Sequence, residues 1–145
     1  MWFLDTGYLI ALFSEKDTFH VAATTLRARA IAGKHRLLTT DAVLFEIGAA
    51  FSKTAFRVLG AQIIETLLRD PDVEVTNVSP QLRGRALELF AARADKDWSL
   101  CDCLSFVVMR QHNITEALSP DQHFAQAGFT PLLLQLPRET TQQAL

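Results

Sequence analysis

The chain is short of cysteine, has no apolar run long enough to span a membrane and carries no excess of positive charge. Each shortage removes a class of function. Its two cysteines, Cys101 and Cys103, stand two positions apart in "WSLCDCLSF". On a helix that spacing is a rotation of roughly 200°, so the thiols point to opposite sides and can neither pinch one metal nor pair with each other. The four histidines are scattered, and there is no C-x-x-C, HxH or HExxH pattern to make a zinc site. The cysteines therefore read as small core residues, and their scarcity points to the reducing cytosol. "MWFLDTGYLIALF" is broken by Asp5 and Gly7 and lacks a basic leader and a small-residue cleavage site, so a cytoplasmic protein with no membrane attachment is expected. A formal net charge of −2 announces no global basic field for nucleic acid, although it leaves room for a local patch.

What is present is a core. With 145 residues, 49% of them hydrophobic, the chain fits one domain. "MWFL" reads as a strand, followed by a tight turn at Asp5-Thr6-Gly7 and a helix in "YLIALF". A longer helix is predicted from about Phe19 to Ala32 with Gly33 as its stop, then a strand in "HRLLTT". Asp41 opens a long apolar helix, "AVLFEIGAAFSKTAF"; after Gly60 comes the helix "AQIIETLLRD", ended by Pro71, and "VEVTNV" alternates like a strand. Helices over Ser79–Ala94 and "SLCDCLSFVVMRQH", a strand "ITEAL", a helix "DQHFAQAG" and a last strand "PLLLQL" complete the pass. Alternating strands and helices imply an α/β fold: a single three-layer domain with a central parallel sheet flanked by helices, over residues 1–136, and a polar tail over 137–145.

In such sheets ligands bind beyond the carboxyl ends of the strands, where the strand order reverses. Four acids fall there: Asp5 ends the first strand, Asp121 follows "ITEAL", and Glu46 and Asp102 lie early in helices. Three have a structural reading of their own. Ser99-x-x-Asp102 is a capping box, Ser119-Pro120-Asp121 a capped helix start, and Asp5 an Asx-type turn residue. Glu46 is different: Val43, Leu44, Phe45, Ile47 and Phe51 surround it, so its carboxylate is expected to be partly desolvated with no cation within one turn. Carboxylates gathered in one crevice repel one another unless cations compensate, and Mg2+ or Mn2+ does so with oxygen ligands. Carboxylates, a hard cation and its retained waters point to metal-assisted phosphoryl transfer.

"WFLDTGYLIALF", "LLTTDAVLFEI", "DWSLCDCLSFVVM" and "ALSPDQHFAQAGF" together resemble the PIN-domain family, particularly its stand-alone prokaryotic VapC-like members, over almost the whole chain. The resemblance implies an Mg2+- or Mn2+-dependent ribonuclease that leaves a 5'-phosphate and a 3'-hydroxyl. It places the family's acids on Asp5, Glu46, Asp102 and Asp121, and the hydroxyl residue that often follows the first acid on Thr6. Asp5 and Asp102 are expected to hold the principal ion, with Asp121 and Glu46 completing or extending the site. One departure stands out: Cys101 replaces the usual Thr or Ser before the third acid, and a thiol is the weaker donor. The resemblance also implies a homodimer and, for toxin members, a small antitoxin.

For RNA, Lys53 and Arg57 on the Glu46 helix are candidate phosphate contacts, with Arg27, Arg29, Lys34, His35 and Arg36 a second basic group; Trp98 is the best stacking candidate. His20 and His123 show no partner that would make either a general base. The rival readings are a PIN scaffold that binds RNA or protein without cutting, and a receiver-type domain. The latter wants a late lysine that this chain lacks beyond Lys96.

Overall fold

The computed structural model describes residues 1–138. Its elements are β1 (Trp2–Leu4), α1 (Thr6–Phe13), α2 (His20–Ala32), β2 (Leu37–Thr40), α3 (Asp41–Ala50), a 3-10 turn (Thr54–Phe56), α4 (Arg57–Arg69), β3 (Val73–Thr76), α5 (Pro80–Ala92), α6 (Leu100–Gln111), β4 (Glu116–Leu118), α7 (Gln122–Gln126), β5 (Thr130–Pro131) and a second 3-10 turn (Leu132–Gln135). The sheet runs β3-β2-β1-β4-β5 with every pair parallel, and helices flank it. The α/β architecture expected from the alternation of elements is therefore present. Because β2 and β4 lie on opposite sides of β1, the strand order reverses between β1 and β4, and their carboxyl ends open the crevice.

The core explains why the crevice is rigid. Phe3, Phe106 and Phe124 are fully buried. The Phe106 ring stands edge-on to both Trp98 and Phe124, with centroids 5.1 Å apart in each pair. This aromatic stack locks α6 and α7 to β1, whose Phe3 lies 6.3 Å from Phe124. Truncating such a ring costs about 3–5 kcal/mol, so the two helices that carry acids cannot shift cheaply.

Four local expectations are corrected. The helix after Asp41 does not run to Phe56; α3 ends at Ala50 and α4 starts at Arg57. Gly60 is no break but a buried residue inside α4, where a Cβ would lie 2.6 Å from that of Phe51, so its bareness lets α4 approach the end of α3. Of "PLLLQL" only Pro131 is strand, as the second residue of β5 after Thr130; a 3-10 turn follows, and the Leu133 amide donates to the Ser119 carbonyl at 3.3 Å. A strand would turn Leu132 and Leu133 to opposite faces, whereas here both are buried. Finally, Asp5-Thr6-Gly7 is not a turn. Asp5 is extended (φ −107°, ψ 158°) and α1 begins at once, with Gly7 inside it because a Cβ there would meet Pro120 Cδ at 2.8 Å.

Residues 139–145 of the expected tail lie outside the described residues. Among the described residues, no helix is long and apolar enough to cross a membrane.

Candidate active site

Leu4 pairs with Leu118 in the sheet, so the next residues, Asp5 and Ser119, emerge side by side at the switch point. Ser119 is fully buried, and its hydroxyl does two jobs. It donates to Asp5 Oδ2 at 2.8 Å and accepts the Asp121 amide at 3.1 Å, tying together two acids that are far apart in sequence. Sequence reasoning assigned Ser119 only to a helix start; the signal lies in its position two residues before Asp121, and its partner Asp5 is 114 residues away.

Asp5 pays for this location electrostatically. Burial pushes its pKa up to about 7; the Ser119 and Thr6 hydrogen bonds pull the other way, and the Glu46 and Asp102 charges push it up further. Next to it Thr6 is buried, and its Oγ1 has no hydrogen-bond partner among the described residues.

Asp102 both caps α6 and lines the cleft. Ser99 Oγ accepts the Asp102 amide at 2.9 Å and Asp102 Oδ2 accepts the Ser99 amide at 3.0 Å, completing the expected capping box. The same Oδ2 also faces His123 Nδ1 at 3.2 Å. Asp121 caps α7 through Oδ1, which accepts the His123 amide at 2.9 Å, and its Oδ2 lies 3.3 Å from His123 Nδ1. The expectation that His123 lacks a partner is thus overturned: Asp102, Asp121 and His123 form a cluster of ligand-type atoms within 4.8 Å of one another. A D-x-H spacing was the available signal, but its meaning depended on Asp102 arriving from another helix.

Glu46 is corrected in the opposite sense. Of its apolar neighbours Val43, Leu44 and Ile47 are buried, but Phe45 is 78% exposed and Glu46 itself is exposed rather than desolvated. It still lines the same cleft of ≈ 580 Å³ as Asp5, Asp102 and Asp121. Among the described residues, no salt bridge involves Asp5 or Glu46. Beside them the half-buried Cys101 thiol is pushed well above its usual pKa, first by burial, then by its contact with Glu46 and by the surrounding carboxylate charges.

The nucleic-acid candidates separate. Trp98 is 4% exposed, with Nε1 donating to Gln126 Oε1 at 3.0 Å and the Arg93 guanidinium 5.0 Å from its ring centroid, so it packs rather than offering a face to a base. Lys53 and Arg57 are exposed, and Arg57 donates to the Ser52 carbonyl at 2.7 Å. Neither lines the acidic cleft. The cation that does is Arg138, 5.1 Å from the Phe19 ring centroid at the cleft edge. Arg27, Lys34 and His35 line a different, largely apolar cavity.

The donor set fits a divalent cation. Four carboxylates line one cleft, His123 lies against two of them, one carboxyl has a raised pKa, and beside it is a buried hydroxyl with no hydrogen-bond partner among the described residues. That combination lacks positive charge more than it lacks hydrogen bonds.

Comparison with known proteins agrees with this geometry. The family model described as PIN domain matches residues 2–130. The 23S rRNA-specific endonuclease VapC20 of Mycobacterium tuberculosis, from strains CDC 1551 / Oshkosh and ATCC 25618 / H37Rv, is 28% identical over 130 residues, covering 89% of this chain and 95% of the relative. The crystal structure of Mycobacterium tuberculosis VapC20, described as a Sarcin-Ricin loop cleaving toxin, superimposes with a TM-score of 0.79 at 26% identity, covering 96% of this chain and 100% of that one.

Proposed function

The chain belongs to the PIN-domain family, and from that premise we propose that it is an Mg2+- or Mn2+-dependent endoribonuclease, with Asp5, Glu46, Asp102 and Asp121 as its metal-holding and catalytic acids. The observation that carries the reading is the meeting of these four carboxylates in one cleft at the switch point, with no basic side chain paired to Asp5 or Glu46 among the described residues. The chemistry a bound cation supplies is a lowered pKa for the attacking water and neutralisation of charge growing on the phosphate oxygens.

The chain's own residues do the rest. Ser119 orients Asp5 and the Asp121 backbone together, and the Ser99 cap holds Asp102 in one rotamer. The Thr6 hydroxyl, free of other bonds, is available to orient a water or the ion. Arg138 is placed to meet a phosphate at the cleft edge. The relative's target, the sarcin-ricin loop of 23S rRNA, is the first substrate to test.

Cleavage of RNA oligonucleotides in Mn2+ or Mg2+ against EDTA tests the reading. Asp5→Asn and Asp102→Asn are expected to lower the rate at least about 10²–10³-fold, the scale of losing one charge-stabilising group, while the fold survives by circular dichroism. Full activity in the double variant overturns the assignment.

The toxin role, with a small antitoxin partner, a homodimer and a cytoplasmic location, belongs to the same proposal. Its structural support is a set of exposed apolar side chains on α3, α4 and the turn between them: Phe45 at 78%, Val58 at 71% and Phe56 at 50%. A strictly monomeric chain in sedimentation would remove the dimer.

A further inference from the structure

We infer that His123 creates a second cation position beside the cleft, of mixed nitrogen and oxygen character, which shares Asp102 with the all-carboxylate position and prefers Mn2+ to Mg2+. The inference rests on the metal-dependent reading above and assigns a role to a residue outside the four acids.

The argument starts from one atom. His123 Nδ1 lies 3.2 Å from Asp102 Oδ2 and 3.3 Å from Asp121 Oδ2. A ring nitrogen carries at most one proton, so one hydrogen bond leaves the second contact without its own donor. The spacing has another meaning. Donor atoms on bonds of about 2.1–2.2 Å stand about 3.0 Å apart at octahedral corners and about 3.5 Å apart at tetrahedral ones. Both edges that meet at Nδ1 fall between those values, and the three ligand-type atoms lie within 4.8 Å of one another, close enough for one cation to draw them together.

Backbone and neighbours hold those atoms in place. The Asp121 side chain is tied by Oδ1 to the His123 amide, which leaves Oδ2 turned to the ring. Asp102 Oδ2 is tied to the Ser99 amide. The next residue, Phe124, is fully buried in the aromatic stack, so α7 cannot rotate His123 away. The other position differs in chemistry. Asp5 feels the charges of Glu46 and Asp102, and no nitrogen ligand belongs to that group. Asp102 therefore stands between an oxygen-only position and a mixed one.

Donor type then decides the metal. Mg2+ prefers oxygen and sheds water reluctantly, whereas first-row transition ions accept imidazole nitrogen beside carboxylates. His123 thus tilts its position toward Mn2+.

The test reads the bound metal rather than activity. Pulsed electron paramagnetic resonance of the Mn2+-loaded protein is expected to show modulation from a directly bonded 14N, lost in His123→Ala and His123→Gln. Competition titration is expected to show the Mn2+ over Mg2+ affinity ratio falling about tenfold in both variants, and also in His123→Asp, which restores a charge without the nitrogen. Bound Mn2+ with no nitrogen coupling in the unaltered chain overturns the inference. So does an unchanged ratio in folded His123→Gln, the outcome expected if the ring only hydrogen-bonds the two acids. Metal-dependent cleavage without nitrogen coupling would leave the nuclease reading standing, whereas no Mn2+ uptake and no cleavage would remove both.

Discussion

Two hollows among the described residues are of similar size and opposite character. One, of ≈ 540 Å³, lies among α1, α2, α4 and the sheet; its walls include Tyr8, Leu9, Ile63 and Leu67, and charges of both signs, Arg27, Lys34, Asp70 and Asp72, also line it. The other, of ≈ 580 Å³, gathers Asp5, Glu46, Asp102 and Asp121 around a single lining cation, Arg138. In the first, apolar walls contribute to folding and mixed charges need nothing from outside. In the second, charge of one sign is collected around a carboxyl that folding removes from water, so the fold carries a local cost that a ligand would offset. Residues of the first hollow should therefore govern stability, and residues of the second should govern activity.

The largest effect that separates them is expected from a pair of variants. Ser119→Ala removes the hydroxyl that holds Asp5 and the Asp121 backbone, and metal-dependent cleavage should fall about 10- to 100-fold, as for other groups that orient metal ligands. Its stability should fall by only about 1 kcal/mol. Ile63→Ala, at a buried wall of the apolar hollow, should do the reverse: about 2–4 kcal/mol lost in denaturant titration, with the cleavage rate per folded molecule unchanged. Impaired cleavage by folded Ile63→Ala would break the division.

A smaller effect sharpens it through pH. Burial lifts the folded pKa of Asp5 to about 7 from the 3.8 of an ordinary aspartate, so between those values the folded state binds the extra proton and the unfolded state does not. Stability of the metal-free protein is then fully helped by this group below pH 3.8 and declines as pH rises toward 7. We expect a loss of about 2 kcal/mol from pH 5 to pH 8, less than the whole shift would give because the cleft is open to water. Asp5→Asn should flatten the decline, and Mn2+ should raise the melting temperature more at pH 8 than at pH 5. A decline of equal size in Asp5→Asn would place its origin elsewhere.

How far the sequence leads differs between the same two regions. The strand ends that carry Asp5 and Asp121 were readable because short apolar runs stop abruptly at polar residues, and the α6 cap because Ser99-x-x-Asp102 is local. What escaped depends on chain segments that meet only after folding. Ser119 and His123 acquire their meaning from partners 114 and 21 positions away. Gly60 looked like a helix break because nothing local reveals that Phe51 presses against it. Trp98 was the stacking candidate because it stands just before the helix that carries Asp102, yet Phe106 and Gln126 pack against it. Glu46 misled through composition: a helix rich in apolar residues leaves Phe45 exposed, so its neighbour is exposed as well. Local patterns reveal periodicity and caps; burial in a helix whose apolar residues exceed what one face can hide is a tertiary property.

The smallest effect concerns Cys101, where the family resemblance leads one to expect a hydroxyl residue before Asp102. Its thiol faces Glu46 and sits near Asp5 and Asp102, and its raised pKa keeps it protonated and uncharged at neutral pH. It therefore adds no charge to an already acidic cleft, but it offers Glu46 only a weak donor where a hydroxyl would offer a stronger one. Cys101→Ser should hold Glu46 more firmly and raise the cleavage rate by a factor of about 2–5, the rate equivalent of a few tenths to about 1 kcal/mol. Cys101→Val, of similar bulk but without a donor, should lower it by a similar factor. Both changes should leave the apolar hollow and the melting temperature nearly untouched. If serine and valine act alike, the thiol only packs, and the identity of the residue before Asp102 has no bearing on how this cleft works.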